Sequence, residues 1–252
     1  MYKHAFVAAV VFAAGHATAQ TTLTFDTTVP TASSQAPDVW YTDRYAPAVF
    51  ESAFFDGDNR LHQGVRDADT EANRPSNYSG TFYNYQGRKL DIGSGYGHAV
   101  SIDLYVDSAW NSGVRAGMWT TMSNGNLSYP ILEYVVNGDN DDGNGATFTG
   151  FRWWQSGIGW TATSLVAPTA DAWYNLEVEL TTTDVNYYIN GSLVATTDNL
   201  GAHMIDNVIL QAHNQGVAGE YDVYWDNFTY VPTPASAALL GLAGLAATRR
   251  RR

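Results

Sequence analysis

The chain has 252 residues, no cysteine, and 25 acidic against 13 basic side chains, a net charge of −12. The missing cysteine excludes a disulfide framework, a thiol nucleophile and a cysteine-ligated zinc site. The acidic balance repels nucleic acid and anionic lipid, while eight Trp, 16 Tyr and 23 Gly suit an extracellular β protein.

The N-terminus reads as an export signal. Lys3 precedes an apolar stretch over residues 5–14, and Ala17-Thr-Ala19 ends in small residues before Gln20. This order predicts a secretory signal peptide over residues 1–19, cleaved before Gln20. Residues 20–230 form the body. Lys3 and Arg249 to Arg252 lie outside it with no acid beside them. The body therefore keeps eight basic against 25 acidic residues, a net charge of −17. That balance suits neutral polysaccharide better than a polyanion.

In the body, residues 23–26 predict a first strand, and residues 49–55 and 61–65 flank an Asp56-Gly-Asp-Asn59 turn. Residues 99–107 alternate, with Val100, Ile102, Leu104 and Val106 on one face. Period two with one apolar face is the mark of a half-buried strand. Residues 114–122, 130–136 and 148–154 predict further strands, with a polar loop over 137–145. Residues 173–180 alternate again. Asn190-Gly191 between residues 185–189 and 193–197 predicts a two-residue type I′ hairpin. Residues 208–211 and 221–230 complete the set, and no body segment carries a helical period. About a dozen strands predict an all-β, two-sheet antiparallel jelly-roll sandwich, flanked by an N-terminal signal helix and a short C-terminal apolar helix.

Residues 231–252 form a tail of three parts. Val231-Pro232-Thr233-Pro234 breaks the chain, residues 235–247 are an apolar run, and Arg249, Arg250, Arg251 and Arg252 end it. The run is shorter than the ~20 residues of a stable span, and the arginines favour the cytoplasmic face. This tail resembles the PEP-CTERM sorting signal of bacterial envelope proteins, with Thr233 where the Val-Pro-Glu-Pro motif has Glu. The resemblance implies an exosortase-type membrane protease as partner, transient membrane association through the tail, and a cell-surface or extracellular destination. It also implies a matrix or surface role, since the family belongs to exopolysaccharide-producing bacteria.

Three spans of the body carry a second resemblance: Trp173-Tyr-Asn-Leu-Glu-Val178, Tyr187-Tyr-Ile-Asn-Gly-Ser-Leu-Val194 and Val223-Tyr-Trp-Asp-Asn-Phe228. They are similar to concanavalin A-like and laminin-G-like jelly rolls. That fold hosts lectins, hydrolases, lyases and spacers, so it does not choose a function.

Candidate chemistry is sparse. A glycosidase needs two carboxyls flanking one bond. Glu177 and Glu179 share a strand face, as do Glu220, Asp222 and Asp226, but neither set matches the Glu-x-Asp-x-x-Glu strand of the jelly-roll glucanases. His62, His98, His203 and His213 are isolated in sequence, and no Gly-x-Ser-x-Gly elbow is present. Gln211-Ala-His213 matches in letters the Gln-x-His strand of alginate-lyase jelly rolls, without a basic strand motif to partner it. No catalytic residue is assigned on these grounds. For calcium, the 137–143 loop has oxygen donors but not EF-hand spacing. The glucanase resemblance implies instead a structural Ca²⁺ between Asp226 and the Gly57 carbonyl. For sugar stacking, the candidates are the outward member of the pair Trp153 and Trp154, then Trp119. The expected function is a non-catalytic exported surface or matrix protein with weak glycan binding. The alternatives are a polysaccharide hydrolase or lyase on the same fold, or a structural spacer.

Overall fold

A computed structural model describes residues 19–122, 128–139, 147–163, 168–213 and 219–232. The expected signal helix and C-terminal helix fall outside these residues, as do Ala17, Thr233, Pro234 and the terminal arginines.

In chain order the strands are β1 (Thr21–Leu23), β2 (Thr31–Ala32), β3 (Trp40–Thr42), β4 (Val49–Phe55), β5 (Asp58–Val65), β6 (Tyr85–Gly95), β7 (His98–Val106) and β8 (Arg115–Met122). They continue as β9 (Ile131–Asp139), β10 (Thr147–Gln155), β11 (Gly159–Ala162), β12 (Ala172–Leu180), β13 (Asp184–Ile189), β14 (Ser192–Asp198), β15 (Met204–His213) and β16 (Tyr221–Tyr230). One sheet runs β14-β13-β12-β7-β16-β5-β4, with β1 also paired to β16. The other runs β11-β10-β9-β8-β15-β6-β3-β2. Pairing is antiparallel except between β2 and β3. The result is the expected all-β jelly-roll sandwich.

The alternating segments behave as their pattern requires. Leu176 and Val178 of β12 lie opposite Ile102 and Val100 of β7, and all four are fully buried between the sheets. Asn190 and Gly191 both take positive φ, 50° and 72°, as a type I′ turn demands. Strand β9 runs on to Asp139, further than the loop expected from residue 137.

Trp40, Trp225, Phe228, Leu61, Ile102, Leu104, Met118 and Leu132 fill the space between the sheets. Full burial of such side chains contributes roughly 1.5–3 kcal/mol each. Strand β8 departs from alternation, because all eight of its residues are buried. One face meets the core, so something else must cover the other.

Candidate functional site

The outer face of the second sheet is covered by its own polar and aromatic side chains. Strand register sets them in three rows. Arg115 of β8 and Tyr85 of β6 flank His213 of β15: Ala212 pairs with Ala116, one step from the His213 level, and His213 pairs with Tyr85. The next row holds Arg152, Glu133, Gly117, Gln211 and Gly87. The third holds Trp160, Trp154, Ile131, Trp119, Ile209 and Lys89.

In the first row, the Tyr85 and His213 rings meet edge to face at 4.7 Å, and an Arg115 guanidinium nitrogen lies 3.5 Å from the Tyr85 hydroxyl. Tyr221 reaches through from the other sheet and fixes the row. Its hydroxyl accepts the His213 N–H at 2.8 Å, and it sits 2.8 Å from the His213 carbonyl and 3.1 Å from that of Arg115. Burial pushes the His213 imidazole down to about 3, helped by the charges of Arg115, Arg152 and Arg74. His213 is therefore neutral at ordinary pH.

The middle row is a buried charge network. Arg152 and Glu133 are both fully buried. The guanidinium donates to Glu133 Oε1 from Nε at 2.8 Å and lies 2.7 Å from it through Nη2. Gln211 Nε2 donates to Glu133 Oε2 at 2.8 Å. Arg152 also lies under the Trp160 ring, 4.0 Å from its centroid. Both Glu133 oxygens are thus engaged inside the sheet.

The third row opens into a pocket of about 250 Å³ lined by Arg44, Tyr85, Trp119, Tyr129, Ile131, Trp154 and Trp160. The segment between β5 and β6, which contains the 3-10 turns Asp67–Asp69, Ser76–Tyr78 and Thr81–Asn84, forms a wall beside the pocket, where its Phe82 ring packs on the Arg44 guanidinium at 4.6 Å. Arg74 ties that wall together by donating to the carbonyls of Tyr78, Gly80 and Tyr83 and to the Asn84 side chain.

The structure sorts the expected sugar-stacking residues. Trp154 faces outward into this pocket, beside Trp160. Trp119 also lines it but is only 9 % exposed. Trp153 is corrected: it points inward, packs on the core and meets the Tyr187 ring at 5.5 Å. Adjacent strand residues must face opposite ways, and the inward parity here belongs to Phe151 and Trp153. Glu177 and Glu179 lie on the outer face of the other sheet, where Glu179 accepts from Asn186 and Tyr188. Asp222 is held by His62 and Arg66 on that same sheet.

The residues expected to hold calcium do not suit it. Asp226 faces the Arg60 guanidinium at 2.5 Å, and Asp58 meets the same group at 3.3 Å. A cation already stands where oxygen donors would have to converge. Gly57, at φ 86°, shapes the β4–β5 turn. Among the described residues no cluster of three or more His, Asp or Glu could hold a metal ion. Of the sorting and cleavage residues, Ala19 and Gln20 are exposed, and the Val231 carbonyl accepts from Ser94.

Sequence reasoning missed Arg115, Tyr85, Glu133 and Arg152. The Gln-x-His letters were the available signal, and the basic residue nearest them on the adjacent strand is Arg115, far away in sequence.

No protein-family model and no curated protein matches the chain. Solved structures do share its fold. An apo Crh5 transglycosylase aligns over 85 % of this chain and 84 % of its own, at 12 % identity and a TM-score of 0.51. A native glycosidic hydrolase aligns over 87 % and 99 %, at 12 % identity and 0.52. A structure from work on endo-acting O-glycanases of the human gut microbiota, which initiate mucin breakdown, aligns over 84 % and 98 %, at 14 % identity and 0.53. These three neighbours are described as glycan-active enzymes, which counts against the expected non-catalytic surface protein and towards its enzyme alternative; at 12–14 % identity the likeness itself is one of fold. The body shares the concanavalin A-like jelly-roll fold of these structures.

Proposed function

We propose that the chain is an exported polysaccharide-cleaving enzyme that acts by β-elimination on a uronate-containing glycan, with the outer face of the second sheet as its groove. The observation that carries this reading is the Arg115–His213–Tyr85 row, in which a neutral imidazole lies between a guanidinium and a phenol. Hydrolysis by a carboxyl pair is less well supported. Glu133 has both oxygens bound, and the other carboxylate near the groove, Asp43, is paired with Arg44 and Lys89.

In the proposed reaction, the guanidinium of Arg115 receives the uronate carboxylate and so acidifies the neighbouring C5–H. Among the described residues Arg115 has no carboxylate of its own. His213 accepts the C5 proton. The C4–O bond then breaks as C4=C5 forms, and the leaving oxygen takes a proton from the Tyr85 hydroxyl. The bound carboxylate helps His213 in this step, because an opposite charge nearby raises an imidazole pKa. The strongly acidic body argued for a neutral glycan. Four of its eight cations, Arg44, Lys89, Arg115 and Arg152, are gathered on this one face, and a local field decides what a groove accepts.

The ends of the chain support an exported enzyme: residues 1–19 act as the signal peptide, and residues 231–252 act as a PEP-CTERM-like tail read by an exosortase. The test of activity is incubation of the body with alginate, polygalacturonate and a neutral β-glucan. Elimination from a uronate polymer gives ultraviolet absorbance from an unsaturated sugar end, and Arg115→Ala abolishes it. New reducing ends without that absorbance would establish hydrolysis instead.

A further inference from the structure

The Tyr85 ring borders the tryptophan end of the groove, 5.2 Å from the Trp119 ring, while Arg115 lies four residues of β8 away from Trp119, about 13 Å at ~3.3 Å per residue. That is more than one sugar ring. The pocket there presents hydrogen-bond donors over an apolar floor. The Arg44 side chain is only 16 % exposed and lies over the Trp119 ring at 4.5 Å and the Phe82 ring at 4.6 Å. Asp43 is the carboxylate for two cations, Arg44 at 3.3 Å and Lys89 at 2.9 Å, so the cluster keeps positive charge. Burial lowers the Arg44 pKa and Asp43 only partly opposes this; such a cation gains from a further anion. Trp119 supplies the second observation: its indole N–H is buried and has no partner, although the residue lines the pocket. A buried donor without an acceptor is costly, and an acceptor brought by a ligand would relieve it.

Resting on the reading of the groove as a uronate-cleaving site, we propose that Arg44 is a specificity-determining residue. The pocket is a subsite for a second acidic sugar of the same polymer. That sugar's carboxylate is received by Arg44, the indole N–H of Trp119 donates to one of its oxygens, and Trp154 or Trp160 stacks on the ring. The polymer then carries carboxylates on more than one residue, and the enzyme favours chains long enough to span both stations.

The test compares wild type with Arg44→Gln and Trp119→Phe on oligouronates of increasing length. In the wild type, kcat/KM climbs once the oligomer reaches the pocket. Arg44→Gln flattens that climb, a loss of roughly tenfold on long chains for one charge-assisted contact, and a smaller loss on the shortest cleavable oligomer, because the guanidinium also lies over the Tyr85 ring at 5.5 Å. Trp119→Phe keeps the ring, drops the N–H and gives a smaller loss of the same kind. An equal fall at every length, with both variants melting like wild type, would overturn the subsite. Calorimetric binding of a long oligouronate separates this idea from the reaction itself. If no uronate polymer is cleaved but wild type binds the oligomer and Arg44→Gln does not, the subsite stands and the elimination reading falls. If wild type does not bind it, the subsite falls.

Discussion

Gln211 and Glu133 are joined by a 2.8 Å hydrogen bond that crosses Gly117, the residue lying between them in the sheet. The missing side chain is what lets them meet. A Cβ on Gly117 would stand 2.3 Å from Glu133 Cβ and 2.7 Å from the Leu132 carbonyl. The first contact is with a rigid stem and the second with backbone, so neither yields easily. Gly117→Ala is expected to lower stability by about 1–3 kcal/mol, the usual range for overpacking. It should also disturb the Gln211–Glu133–Arg152 network. Urea unfolding of the variant checks the first, and its residual activity the second.

His213 makes the native state sensitive to acid. Its folded pKa, about 3, lies below the ordinary 6.5. Above pH 6.5 both folded and unfolded forms are neutral here and the group has no effect. As pH falls from 6.5 towards 3, the unfolded chain takes a proton that the native state refuses. Stability therefore drops, with a slope of up to about 1.4 kcal/mol per pH unit from this residue. His213→Gln is expected to remove that part of the slope. Urea unfolding at several pH values between 4 and 7 (roughly the window the linkage relation marks out) makes the comparison.

Trp153 and Trp154 should separate cleanly. Trp153 packs on the core and on Tyr187, so Trp153→Ala is expected to cost several kcal/mol, in the range of about 3–5 for a large aromatic. Trp154→Ala removes a wall of the groove pocket. It should raise KM for the polymer several-fold while leaving the melting temperature much closer to wild type. Thermal melting paired with steady-state kinetics reads both.

The proposed export route predicts what native protein should weigh. Mass spectrometry of mature material is expected to begin at Gln20 and to lack the tail with Arg249 to Arg252. An intact polyarginine end on cell-surface protein would remove the exosortase from the account.

The fold was legible because its signals are local. The alternation over residues 99–107 and 173–180 states which face is buried, and Asn190-Gly191 states where the chain reverses. The site was not legible, because it is assembled across strands. Arg115 meets His213 only because β8 and β15 pair, and no spacing in the chain encodes that pairing. Glu133 sits in an apolar run and reads as an anomaly in a strand; its partner Arg152 reads as another. Parity stated that Trp153 and Trp154 face opposite ways, but the choice of face depended on register with β9 and β11. Net charge is blind to placement for a related reason. An average over the body hides the four cations that β6, β8, β10 and the segment after β3 bring to one surface.

The wall built around Arg74 has a consequence for how a chain-like ligand is received. The carbonyls of Tyr78, Gly80 and Tyr83 that this guanidinium gathers lie within ten residues of it, and Tyr45 fastens the segment from outside through the Tyr78 ring and the Asp69 carboxylate. Its conformational entropy is lost when the protein folds. A polysaccharide arriving at the Phe82 side of the groove meets a surface that is already in place and need not be ordered at that moment. On the proposed reading, preorganisation of this kind lowers the ordering cost of holding a long polymer.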